Sequence, residues 1–184
     1  MAKDIKTYYE QSYIDNTLRL REVLQTLPSF TKDYFRAVEP TTSAKTRISY
    51  AYDIRVFFHF LIENNPIYHD YTTTQFTLQD LERVEPIDIE EYLEYLKVYK
   101  ADDNQVITNG EKGLARKFSS LRSFYRYFYR HQMIEKNPTI FVDMPKLHDK
   151  AIIRLDIDEV ALLLDYVENC GKELTGQKKV YYEK

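Results

Sequence analysis

Apolar residues recur along most of this chain at three- and four-residue intervals, the spacing that gathers them on one face of an α-helix. A first helix is expected over residues 4–26. Its stripe is Ile5, Tyr9, Tyr13, Leu20 and Leu24, continued by Leu27, and Pro28 stops it. A short helix follows over residues 31–38, ended by Glu39-Pro40. Thr42 or Ser43 can cap a third helix reaching about residue 63, with Tyr50, Ile54, Phe57 and Leu61 as its stripe and Phe58, Phe60 and Ile62 widening it. Asn64-Asn65-Pro66 breaks it, and residues 67–76 read as a polar loop.

Thr77-Leu78-Gln79-Asp80 has the form of a capping box before a short turn. Pro86 suits the first turn of a helix over residues 86–100, with Ile89, Tyr92, Leu93, Leu96 and Tyr99 inward. Residues 101–110 read as a loop, and Thr108 with Glu111 offers a second capping box. The strongest periodicity spans residues 111–133, where Leu114, Phe118, Leu121, Phe124, Tyr125 and Phe128 form the buried stripe. Asn137-Pro138 ends it. Residues 137–150 read as an extended linker, Ile152-Ile153 as a strand start, and Asp156 with Glu159 as the cap of a last helix carrying Val160, Leu163, Leu164 and Val167.

The expected fold is therefore all-α. Four to five helices form a bundle over residues 41–136, preceded by an N-terminal helical extension (residues 1–40) and followed by a linker (137–150) and the opening of another unit (151–184). A charged fraction of 30% and only four glycines fit a folded helical chain. The 17 tyrosines suit core edges, with ring buried and hydroxyl wet. A single cysteine, Cys170, excludes an internal disulfide, and the scattered histidines lack metal-ligand spacing. No metal or other cofactor is expected. With a lone cysteine, a reducing cytoplasm is the expected setting, and no apolar run is long enough to span a membrane.

Net charge is −3, yet the charge is segregated. Residues 111–136 carry seven Lys/Arg against two acids, whereas residues 77–103 carry nine acids against three bases. In the latter, Asp88, Glu90, Glu91 and Glu94 mark an acidic face, read first as solvated surface. Opposite the apolar stripe of residues 111–133 lie Lys112, Arg116, Ser119, Ser123, Arg126 and Arg130, flanked by Lys117, Ser120 and Arg122. Cations interleaved with small hydroxyls allow a helix to approach phosphates closely. The first turns of the third helix add Lys45, Thr46, Arg47 and Ser49, at a helix end that itself favours anions.

These residues resemble a known family. Thr46-x-x-x-Tyr50-x-x-Asp53-Ile54-x-x-Phe57-x-x-Phe60-Leu61 is similar to the second helix of the SAM-like core-binding domain of tyrosine recombinases (phage integrases). Residues 116–128, from Arg116-Lys117-Phe118-Ser119-Ser120-Leu121-Arg122 to Tyr127-Phe128, resemble its fourth helix. Asn137-Pro138 and Met144-Pro145-Lys146 resemble its interdomain linker, and residues 155–164 the start of its catalytic domain. The resemblance implies a duplex-DNA-binding half-clamp whose parent assembles as a tetramer of recombinase protomers on DNA. Carried over by position, it makes Lys45, Thr46, Arg47, Ser49, Lys112, Gly113, Arg116, Lys117 and Ser120 the contact candidates, with Ser119 and Arg122 behind them. Gly113 stands where the family often has a small polar residue, which leaves only a backbone contact.

The family's catalytic Arg-bearing motifs, G-[L/T]-R-x-x-E and H-x-x-R, have no counterpart here: His59, His69, His131 and His148 all lack an Arg three residues on. No catalytic residue is therefore expected in this chain, and Tyr181 and Tyr182 are not read as nucleophiles. On the resemblance, the chain stops before the catalytic site. Two other classes stay open on the residues alone. A helical protein–protein module would need an exposed apolar patch, and an RNA-binding module would need exposed aromatics for stacking.

Overall fold

The computed structural model describes residues 7–101, 105–148 and 154–170. Helix α3 (Ala44–Asn64) organises the bundle. Its N-cap, Ser43, accepts a hydrogen bond from the Thr46 N–H at 3.1 Å, which satisfies one of the free donors of the first turn. It buries Ile48, Ala51, Ile54, Phe57, Phe58, Phe60 and Leu61. Those positions cover far more than one stripe, because α3 is packed by α1 (Tyr8–Gln25), α5 (Pro86–Tyr95) and α6 (Glu111–Arg130).

Helix α6 is one-sided by contrast. Phe118, Leu121, Phe124, Tyr125 and Phe128 are buried, and Phe124 stands 5.0 Å from Phe128, 5.3 Å from Tyr34 and 6.4 Å from Phe58, ring centre to ring centre. Edge-to-face rings at these spacings add to the area they bury. Helix α2 (Thr31–Val38) contributes Tyr34 and Phe35. The short α4 (Leu78–Arg83) is held by the expected reciprocal cap between Thr77 and Asp80. Among the described residues four tyrosines lie wholly inside: Tyr34, Tyr68, Tyr92 and Tyr125. Each hydroxyl donates to a partner, namely Ser123 Oγ, Asp80 O, Asp53 O and Leu81 O respectively, as a buried polar atom must.

The all-α expectation holds, with several local differences. The helix read over residues 86–100 ends at Tyr95, and a small hairpin replaces its last turn and the loop. Strand β1 (Val98–Lys100) pairs antiparallel with β2 (Val106–Thr108), Tyr99 facing Ile107. β-Branched and aromatic residues favour that state, and Asn109 closes its base by donating to the Leu96 and Lys97 carbonyls. Thr108, expected as a cap, is thus in a strand, and Gly110 is the N-cap of α6.

Helix α6 ends at Arg130, short of the expected residue 133, in a Schellman turn. The Met133 N–H reaches Phe128 O, the Gln132 N–H reaches Tyr129 O, and Gln132 takes φ 56°. On α1, Tyr9 and Tyr13 are exposed; Leu20 and Val23 are the buried positions, and Ile5 lies outside the described residues.

The N-terminal 40 residues, read as an extension, contribute Leu20, Val23, Leu27, Tyr34 and Phe35 to the same core as α3 and α6. Residues 137–142, read as linker, are partly folded in: Pro138–Ile140 form a 3-10 turn, with Asn137, Pro138, Thr139 and Val142 buried. This first compact unit runs to Leu147. The second contains α7 (Ile157–Cys170), capped reciprocally by Asp156 and Glu159 as expected. The strand start at Ile152-Ile153 and the pair Tyr181-Tyr182 lie outside the described residues.

Candidate nucleic-acid interface

The polar face of α6 and the first turns of α3 carry the candidates, and the two helices meet at Tyr50. Tyr50 of α3 lines a groove of about 630 Å³ together with Ser119, Arg122, Ser123, Arg126 and Arg130 of α6. Lys112, Arg116, Ser119, Arg126 and Arg130 are exposed, and Arg122 is half-buried. Its guanidinium carbon sits 5.7 Å from the centre of the Phe118 ring, so the stem is supported while the fork reaches solvent. Lys45 is exposed, and Thr46 and Ser49 are half-buried on the first turns of α3. The Ser119 and Ser49 hydroxyls donate back to Ala115 O and Lys45 O, which leaves their oxygens free to accept and keeps the surface low. At Gly113 an added Cβ would come within 3.1 Å of Asn109 Oδ1, so glycine also suits the tight approach of the preceding turn.

Three candidates lie beneath that surface, which corrects the placement expected from helical spacing. Arg47 is 3% exposed. Its Nη1 donates to Glu39 O and Thr42 O and its Nη2 to Glu39 Oε1, tying off the carbonyls of the turn that precedes α3. Ser120 is fully buried, with its hydroxyl on Lys117 O. Lys117 runs inward, where its ammonium meets Asp53 Oδ1 at 3.1 Å and lies 5.8 Å from the Tyr99 ring centre. All three sit at the border of the apolar stripe: for Arg47 and Lys117 a neighbouring segment supplies acceptors that helical periodicity does not reveal, and the small Ser120 is satisfied one turn back on its own helix.

Asp53 belongs to the motif of the third helix, but helical spacing does not place it among the site candidates. Its side chain is 2% exposed and receives three N–H donors across the α3–α6 contact. Arg116 binds it end-on, Nη1 to Oδ2 at 2.6 Å and Nη2 to Oδ1 at 2.9 Å, and Lys117 adds the third. Such a bidentate, charge-assisted pair fixes a guanidinium more firmly than solvent contacts can. The available signal was an acid immediately before the aromatic and aliphatic segment Ile54 to Leu61 of α3, three residues after Tyr50 and four before Phe57. A carboxylate there is tolerated only with partners.

Among the described residues, no three His, Cys, Asp or Glu side chains gather as metal ligands would. No helix among them is long and apolar enough to cross a membrane. The described residues thus form a helical domain with an aromatic core, a cationic polar face on α6 and an acidic face on α5. Residues 31–132 match the family model for the N-terminal SAM-like domain of phage integrases. The chain belongs to the tyrosine recombinase family.

Curated relatives agree. The tyrosine recombinase XerC of Caldanaerobacter subterraneus subsp. tengcongensis is 32% identical over 145 residues, covering 77% of this chain and 40% of the relative. The tyrosine recombinase XerC of Pediococcus pentosaceus is 34% identical over 124 residues, covering 67% of this chain and 35% of the relative. The tyrosine recombinase XerD of Staphylococcus epidermidis is 32% identical over 93 residues, covering 42% and 32% respectively. The matches thus cover two fifths or less of these relatives' length. No solved structure matches the chain significantly.

Proposed function

We propose that this chain binds double-stranded DNA as the core-binding half of a site-specific tyrosine recombinase. Lys45, Thr46 and Ser49 of α3 and Lys112, Gly113, Arg116, Ser119 and Arg122 of α6 meet the duplex; Arg126 and Arg130 extend the contact along its phosphates. Arg47, Lys117 and Ser120 serve that surface from beneath. The observation that carries the reading is the one-sidedness of α6: its apolar face is consumed by the core, and its other face presents Lys112, Arg116, Arg126 and Arg130 to solvent. Cations on one face, with small residues between them, suit a polyanion of regular groove geometry.

The parent protein would exchange DNA strands in an assembly with further protomers, acting in the cytoplasm without metal or nucleotide. This chain would bind and not cleave, because it contains no H-x-x-R stretch to stabilise the phosphoryl transition state. The deciding experiment is a titration of the wild-type chain and an Arg122→Ala/Arg126→Ala variant against duplex and single-stranded probes at several salt concentrations. The reading predicts salt-dependent preference for duplex and weaker binding by the variant. Equal binding by both proteins, or no dependence on salt, would remove its physical basis. A suicide duplex should give no covalent adduct.

A second reading, that of a protein-contact helix, has one observation in its favour. Tyr8 and Tyr9 are each 82% exposed on α1, with Tyr13 and Leu18 also uncovered. Serine at the three tyrosines should leave duplex affinity intact and abolish any self-association seen by sedimentation.

A further inference from the structure

The geometry points to Asp53 as a positioning residue that sets base discrimination: by gripping Arg116 end-on, it presents that guanidinium to a guanine edge in the major groove. The inference rests on the duplex-binding reading above and goes further, since it assigns Arg116 a different task from Lys112, Arg126 and Arg130.

A guanidinium carries five N–H donors in a fixed plane. Two of Arg116's point at Asp53, one from each terminal nitrogen, at 2.6 and 2.9 Å. The remaining three point away from the carboxylate, including the parallel pair on the Nε side of the fork. That pair matches the two acceptors, O6 and N7, that guanine shows in the major groove. The side chain as a whole is still 48% exposed, so Arg116 remains open to a ligand while it holds Asp53. Asp53 is itself immobile, being 2% exposed and held from a third direction by Lys117. The fork is therefore ordered before any ligand arrives, and the conformational cost of ordering a long side chain on binding is largely removed.

Two further features separate Arg116 from a phosphate contact. With one carboxylate between two cations, the local charge is reduced by half, which weakens the pull on phosphates from any sequence. Arg126 and Arg130 are exposed on the same face, and no carboxylate pairs with either among the described ion pairs. Second, Gly113 lies one turn before Arg116 and Ser119 one turn after, which lets the helix backbone come close to a groove floor.

The test uses the whole chain and a duplex library with a randomised 20-bp segment (an arbitrary length of about two helical turns), sequencing the bound fraction and measuring the salt slope on the unselected pool. The wild type should enrich a G·C pair at one position at least. Asp53→Asn should lose that enrichment by roughly 5-fold or more, while its affinity for the unselected pool holds or rises and its salt slope steepens by up to about one unit. Arg116→Lys keeps the charge but not the fork, so it should lose the enrichment at an unchanged slope; it decides the matter alone if Asp53→Asn does not fold by circular dichroism. Enrichment retained in Arg116→Lys or in a folded Asp53→Asn overturns the inference. So does a wild type that binds duplex but enriches no position, which makes Arg116 a phosphate contact and leaves the duplex-binding reading standing. A wild type with no duplex affinity overturns both.

Discussion

Lys117 and Asp53 form an ion pair in which the ammonium side chain is only 9% exposed and the carboxylate side chain 2%. The pair joins α6 to α3 on the inner side of the surface, while Arg116 joins the same carboxylate from the outer side. Removing one member of a buried pair strands the other. Asp53→Ala should thus destabilise the fold by about 3 kcal/mol in urea unfolding, and adding Lys117→Met should recover at least half of that loss. A double variant no more stable than Asp53→Ala would show that the pair is not the cause.

Arg47 supports the neighbouring turn, so its removal should be felt in stability and not in the salt dependence of DNA binding. The loss of charge-assisted bonds to Glu39 O and Thr42 O should cost about 1.5–3 kcal/mol. Arg126→Ala should behave in the opposite way, flattening the salt slope by about one unit with stability within ~0.5 kcal/mol of wild type. Paired unfolding and binding measurements on the two variants check both halves of the statement.

Gln132 occupies the left-handed position of the turn that ends α6, at φ 56°. Glycine has no side chain to strain there. Gln132→Gly should raise the denaturation midpoint, by about 0.5–1 kcal/mol in stability. A lower midpoint would mean that the Gln132 side chain makes a compensating contact.

The buried tyrosines make stability depend on alkaline pH. Burial pushes Tyr34 up to about 12, with the hydrogen bond to Ser123 opposing that rise, and burial beside Asp80 pushes Tyr68 up to about 12. Tyr92 and Tyr125 are likewise raised well above the ordinary tyrosine value, chiefly by burial. A group whose pKa is raised on folding stabilises the fold below its unfolded value, near 10, and that contribution is lost as pH climbs through the folded value. Stability from these residues should therefore be constant below pH ~10 and fall between about 10 and 12. In an alkaline titration, tyrosinate absorbance from Tyr34 and Tyr68 should appear together with the loss of helical signal. Phenylalanine at both positions should remove part of that pH dependence, and an unchanged profile would contradict this.

The sequence by itself determined the helices with strong one-sided patterns and the caps made by neighbours in the chain. α2, the start of α3, the Thr77–Asp80 cap, the buried stripe of α6 and the Asp156–Glu159 cap all follow from spacing within a few residues, where local geometry suffices. It also determined which face of α6 would be cationic. Tertiary structure decided which of those cations are surface groups. Helical periodicity places Arg47 and Lys117 only on the border of a face. Whether a border side chain turns out to water or inward depends on acceptors supplied by other elements, here Glu39, Thr42 and Asp53. The β1–β2 hairpin and the end of α6 were decided in the same way. Asn109 bonded to Leu96 O fixes the one, and a backbone turn at Gln132 without the glycine that usually marks it fixes the other. Asp53 shows the principle most clearly: in sequence it is one acid in an apolar run, and its meaning comes from two cations more than 60 residues away.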